Sequence, residues 1–197
     1  MKTLKSLAIL STVIFAAASS QAALFTYNLS LSGPNESPIN ASPGIGSGTV
    51  TIDDATFQMV ILMSFSGLTG TTTAAHIHAA TAVPLTGTAG VATTNPSFTG
   101  FPTGVTAGTF SSTLDMTQVA SYNAAFVTAN GGTTSSAFTA FKAAADANKA
   151  YFNIHTSTFG GGEIRSFLAP VPEPTSAALL AIGAGVGLVR RRRACRA

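Results

Sequence analysis

Alternation with a period of two constrains this chain more than any other feature. Phe25, Tyr27, Leu29 and Leu31 fall on one side of an extended backbone, with Thr26, Asn28 and Ser30 on the other. Phe57, Met59, Ile61, Met63 and Phe65 repeat the pattern. A helix would scatter these side chains round its axis, whereas a strand gathers them on one face. In the second run Val60 and Leu62 make both faces apolar, which places that strand in the middle of a sandwich. Shorter runs at Gly48–Ile52, Ala74–Ala79, Gly90–Thr93 and Gly108–Thr113 read as further strands, and Gly33-Pro34, Pro43-Gly44, Gly67, Gly70 and Gly87 punctuate them as turns.

Two helices interrupt the pattern. Asp115 and Gln118 are spaced as an N-cap and its third helical residue, ahead of a stripe formed by Val119, Tyr122 and Phe126. Ser136 to Lys149 is rich in alanine, with Phe138 and Phe141 three apart, and Asn130-Gly131-Gly132-Thr133 is the loop between the two helices. Strands resume at Ala150–Thr156 and Glu163–Leu168. The expected fold is mainly β: an antiparallel β-sandwich with a small helical insertion before its last hairpin.

Charge narrows the function classes. Only 9% of the 197 residues are charged, against a usual share of about 25%. The formal +3 belongs to the ends: between Ala23 and Val171 three bases (Lys142, Lys149, Arg165) face six acids, a net −3. No basic stripe is available for a phosphate backbone, so nucleic acid is excluded as a partner. The single cysteine, Cys195, lies near the C-terminus, so the body has no disulfide framework.

Residues 1–22 read as a secretory signal peptide. Lys2 and Lys5 supply the positive start, Leu7–Ala18 the apolar run, and Ser20-Gln21-Ala22 the small residues before a cut between Ala22 and Ala23. At the other end Val171-Pro172-Glu173-Pro174 is incompatible with a helix or a central strand. Thr175–Val189 follows as fifteen residues without a charge, then Arg190, Arg191, Arg192 and Arg193. As a helix the run spans about 22 Å, short of the ~30 Å hydrocarbon core. Snorkelling arginines and local thinning bridge that difference, with the arginines as the cytoplasmic stop. The box, Leu179-Leu180, Gly183, the apolar run and the arginines, in that order, resemble the PEP-CTERM sorting signal of Gram-negative bacteria that make extracellular polysaccharide. That resemblance implies recognition and removal by an exosortase after transient anchoring in the inner membrane. The chain divides accordingly into 1–22, 23–170 and 171–197.

The three histidines all sit in strand-like motifs. His76-Ile77-His78 puts two imidazoles on one face, and Tyr151, Asn153 and His155 share another, with Phe152 and Ile154 opposite. A hairpin centred near Phe159 would set His155 roughly across from Glu163. Two readings of this set stay open. In one, His76, His78 and His155 are nitrogen ligands for Zn²⁺ or Cu²⁺, with Glu163 as a fourth ligand or a supporting acceptor. In the other they belong to a buried polar network with Asn153, in which Arg165 pairs with Glu163 and His78 hydrogen-bonds His155 across strands.

Leu31-Ser32-Gly33 with Glu36-Ser37-Pro38, Gly67-Leu68, Ala75-His76-Ile77-His78, Tyr151-Phe152-Asn153-Ile154-His155-Thr156 and Gly161-Gly162-Glu163-Ile164-Arg165 together resemble the CHRD domain over about residues 24–168. This chain departs from that family in having Gly160 where proline is usual and Ser166 where glycine is usual, and 130–146 resembles an insertion. The resemblance implies a sandwich similar to copper/zinc superoxide dismutase or immunoglobulin domains. It supplies no established activity.

Catalytic motifs are missing. The chain has no Gly-x-Ser-x-Gly elbow, no phosphate-binding glycine loop and no His-Glu-x-x-His. Adjacent Asp53 and Asp54 point to opposite faces and read as a strand-end turn. Asn28-Leu29-Ser30, Asn35-Glu36-Ser37 and Asn40-Ala41-Ser42 fit the glycosylation sequon, a weak signal in this setting. The leading expectation is a non-enzymatic surface or matrix module, exported through signal peptidase, sorted by exosortase and held among extracellular polysaccharides. The alternative is a Cu/Zn metalloprotein similar to superoxide dismutase.

Overall fold

The computed structural model describes residues 23–172, so the signal segment, Glu173-Pro174, the apolar tail and its arginines lie outside the described residues. Among the described residues no helix is long and apolar enough to cross a membrane. Eight strands form one antiparallel sheet: β1 (Leu24–Ser32), β2 (Ile45–Asp53), β3 (Gln58–Ser66), β4 (Thr72–His78), β5 (Gly108–Asp115), β6 (Tyr151–Thr156), β7 (Ile164–Phe167) and the short β8 (Ala169–Pro170). The order across the sheet is β4-β6-β7-β1-β2-β3-β5, with β8 also paired to β1.

The mainly antiparallel β character is as expected, but the strands form one curled sheet and not two stacked ones. The reason lies in β1, which pairs with β2 along its whole length and meets β7 at Ser32–Arg165 on its other edge. The sheet therefore never breaks, and its own twist brings its two ends round to a shared interior. Phe98, in the loop between β4 and β5, closes that interior. Its ring stacks on Phe110 of β5 at 5.8 Å and on Phe152 of β6 at 5.6 Å, so it touches strands near opposite ends of the sheet. Backbone bonds from Thr72 to Val105 and from Gly104 to Thr72 draw the two edges together.

Strand β3 has neighbours on both sides, as its doubly apolar pattern requires. Met59, Ile61, Met63 and Phe65 are buried, but Leu62 on the other face is 50% exposed because no second sheet covers it. Phe57 is not part of the strand: it occupies a left-handed turn (φ 56°) and its ring packs edge-on against Phe138. Gly90–Thr93 contributes two isolated bridges, His78–Val91 and Thr93–Tyr122, and no strand. Asp53 ends β2 and accepts from the backbone N–H of Ala55 and Thr56, a strand-end turn as expected.

The helices are α1 (Ala124–Ala129) and α2 (Thr134–Asp146). Asp115 does not cap a helix. It terminates β5 and accepts from Thr117 and Gln118, and a single 3-10 turn follows at Val119–Ser121. The cap of α1 is Asn123, which accepts from the N–H of Ala125. Thr133 and Ser136 form a reciprocal capping box on α2. Phe138, Phe141, Ala144 and Ala145 of α2 are buried in the core. The helix is also pinned to β1, where Tyr27 donates to Asp146 at 2.5 Å and Lys142 lies 3.3 Å over the Phe25 ring.

Candidate histidine site

Strands β4 and β6 pair antiparallel, so His76 lies opposite Asn153, His78 opposite Tyr151 and Ala74 opposite His155. With i and i+2 on one face, this register gathers all three imidazoles on the same side of the sheet. His76 and His78 are buried and His155 is half-buried. Each ring has one nitrogen committed to the backbone: Nδ1 of His76 bonds the carbonyl of Pro96 at 3.1 Å, that of His78 the carbonyl of Ala89 at 2.8 Å, and that of His155 the carbonyl of Gly160 at 2.9 Å.

A carbonyl oxygen only accepts, so all three Nδ1 atoms carry the proton. In a neutral ring that leaves each Nε2 as a bare lone pair. One candidate ligand nitrogen from each ring lies within 4.8 Å of the others. Nε2 of His76 and Nε2 of His155 are 2.9 Å apart, and Nε2 of His78 is buried without a partner. Two lone pairs facing at that distance repel unless a proton or a metal ion lies between them. Burial first, then the neighbouring His78 and His155, push His76 down to about 4. Burial also pushes His78 down to about 4, against the bond to Ala89, and lowers His155. Two nitrogens sharing one ion at ~2.0–2.1 Å can adopt this spacing, and backbone carbonyls on the opposite ring nitrogens are the usual way such ligands are oriented.

Tyr151 steadies His78 from the side. The two rings stack at 4.6 Å with 6° between their planes, and the Tyr151 hydroxyl reaches Ala89, whose carbonyl also takes the His78 proton. Above Tyr151 sits the Arg165 guanidinium, 4.7 Å from the ring centre.

Glu163 lies outside this cluster, contrary to both expectations for it. Its backbone does sit across from β6, donating to Ile154, but its carboxylate turns toward other loops. It accepts from the Ser42 hydroxyl and the Thr69 N–H on one oxygen, and from the Thr156 hydroxyl and the Gly70 N–H on the other. The residue is fully buried. Burial alone would raise its pKa, and the four donors outweigh that and hold it below the ordinary carboxylate value. Glu163 is thus neither a metal ligand nor the partner of Arg165. It ties the β1–β2 loop, the β3–β4 loop and the end of β6 to the start of β7.

The acid beside Arg165 is Glu36, 3.9 Å from its Nε, and Arg165 also donates to the carbonyls of Asn35 and Gly87. The close cross-strand approach within the histidines is between Nε2 of His76 and Nε2 of His155, where a hydrogen bond between His78 and His155 was expected. Asn153 lies between His76 and Arg165 in register. Its Oδ1 and Oε1 of Glu36 are both buried without a partner, and both crowd the space where a Cβ on Gly162 would stand. Gly162 is at φ +127°, so glycine is required there on both counts. Burial raises Glu36 to about 7 despite the Arg165 charge. Sequence reading attached no role to Glu36. The available signal was that it is one of only six acids in the body, two residues from a proline on either side, Pro34 and Pro38, in a loop.

Comparison with known proteins finds two family models along the chain. The model of the PEP-CTERM protein-sorting motif matches residues 170–193. No curated protein and no solved structure matches the chain. The histidine strands, the Glu163 hub and the Glu36–Arg165 contact all fall inside residues 27–168, the span matched by the CHRD domain model. The chain therefore belongs to the CHRD domain family and carries a PEP-CTERM motif directly after that domain.

Proposed function

We propose that this protein presents a metal-binding module at the cell surface, with His76, His78 and His155 as ligands for one Zn²⁺ or Cu²⁺ ion. The sorting motif marks an exported chain that exosortase processes after transient membrane anchoring. One observation carries the metal reading: three Nδ1–H groups are committed to backbone carbonyls, so the matching Nε2 lone pairs are left for a shared cation. All three ligands are neutral imidazoles, the donor type that suits zinc and copper and for which Cu²⁺ binds more tightly than Zn²⁺. The module acts by binding. Retention among extracellular polysaccharides rests on the sorting route, and the hydroxyl-rich, low-charge body suits that setting.

The test is calorimetric titration of Zn²⁺ and Cu²⁺ into the purified chain and into a His76→Ala/His78→Ala variant. The expected result is one ion per chain, lost in the variant. Equal binding by both proteins, or none by either, overturns the metal reading. Metal analysis of protein from its native host then identifies the resident ion.

A further inference from the structure

The sorting motif starts inside the folded sheet. Leu168 is fully buried and its N–H bonds Ala150, so the core reaches that residue. Ala169 and Pro170 then pair with Asn28 and Tyr27 as β8, and the N–H of Val171 bonds the carbonyl of Thr26 at 2.8 Å. The motif match begins at residue 170, so its first residue is the last of β8 and no linker separates domain from signal.

The prolines fit this pairing. In an antiparallel ladder alternate residues bond the same neighbour. Ala169 and Val171 face β1, so Pro170 and Pro172 fall at positions whose missing N–H would point away from it. They cost the ladder nothing, and they leave the outer side of the strand without donors, which blocks a further strand from adding there.

We propose that the domain holds the front of its own sorting box against β1, and so confines exosortase cleavage to bonds beyond Pro172. The mature protein keeps Val171 in its sheet. Between Pro172 and the apolar run that begins at Thr175 only two residues intervene, a reach of about 11 Å at full extension. The folded domain therefore stands close to the bilayer until the cut is made, and the protease works in that gap. Peeling β8 from β1 is not part of the processing step.

The experiment uses the full-length chain in an exosortase-bearing host, with the C-terminus of the processed product read by intact mass. The expected product ends at Pro172 or beyond. A product ending at Val171 or earlier overturns the proposal. A second variant, Asn28→Cys/Ala169→Cys in a Cys195→Ser background, staples β8 to β1 through a directly opposed pair. Processing of the oxidised staple at the wild-type rate, to a product with the same C-terminus, is expected. Processing only after reduction would show that β8 must detach, and would overturn the proposal. A wild-type chain left unprocessed would remove the sorting assignment, and this inference with it.

Discussion

Replacing Glu163 by glutamine tests the hub most directly. The carboxylate accepts two hydroxyls at 2.6 Å, from Ser42 and Thr156, and two backbone N–H groups, from Thr69 and Gly70. Glutamine keeps one oxygen and turns the other into an NH₂ group. A hydroxyl can rotate to accept from that group, but a backbone N–H cannot. Whichever way the amide is turned, a backbone N–H faces a donor, either that of Thr69 in a part-buried bond or that of Gly70 in a buried one. An unsatisfied buried donor costs about 1–3 kcal/mol, and bonds to a charged acceptor are worth ~1.5–3 kcal/mol each, roughly double neutral ones. Together these predict a loss of about 3–4 kcal/mol, a fall in Tm of roughly 6–16 °C for a domain of this size. Denaturant unfolding of wild type and Glu163→Gln measures it, and metal stoichiometry is read on the same samples. Wild-type stability in the variant would refute the hub. Lost metal binding with stability intact would refute the exclusion of Glu163 from the metal site.

Three further outcomes follow from other residues. Glu36 is raised from 4.5 to about 7, so the folded protein holds a proton that the unfolded chain releases earlier. Its stabilising contribution is full below about pH 4.5 and is lost as the pH rises through about 7, with a slope of up to about 1.4 kcal/mol per pH unit. Stability measured against pH shows that decline in wild type, and Glu36→Gln flattens it. Tyr151→Ala removes the ring stacked on His78 and lowers metal affinity about 10–100-fold, the range for residues that orient ligands. Tyr151→Phe keeps the stack and most of the affinity in the same titration. Phe98→Ala opens a cavity between Phe110 and Phe152 and costs about 3–5 kcal/mol in denaturant unfolding.

What was legible in the sequence is what depends on local order. Alternating side chains identify β1 and β3, because the period of a strand is a property of the backbone itself. The aromatic stripe of α2 and the hairpin about Phe159 were legible in the same way. The tail was legible too, since a sorting signal is read as a linear string.

Partner choice was not legible. Arg165 and Glu163 share a strand spacing that suggests a pair, yet the acid that approaches Arg165 is Glu36, more than a hundred residues away in sequence. The sequence could not rank them, because a buried carboxylate goes wherever the most donors converge. For Glu163 those donors are N–H groups of a loop that only the fold brings near. The same holds for one curled sheet in place of two layers, which turned on both edges of β1 being paired. It holds above all for the histidines. Their spacing showed that they share faces, but the folding of the loops that carry Pro96, Ala89 and Gly160 determines which nitrogen of each ring is left free. The sequence supplied the imidazoles, and the tertiary structure assigned their protons.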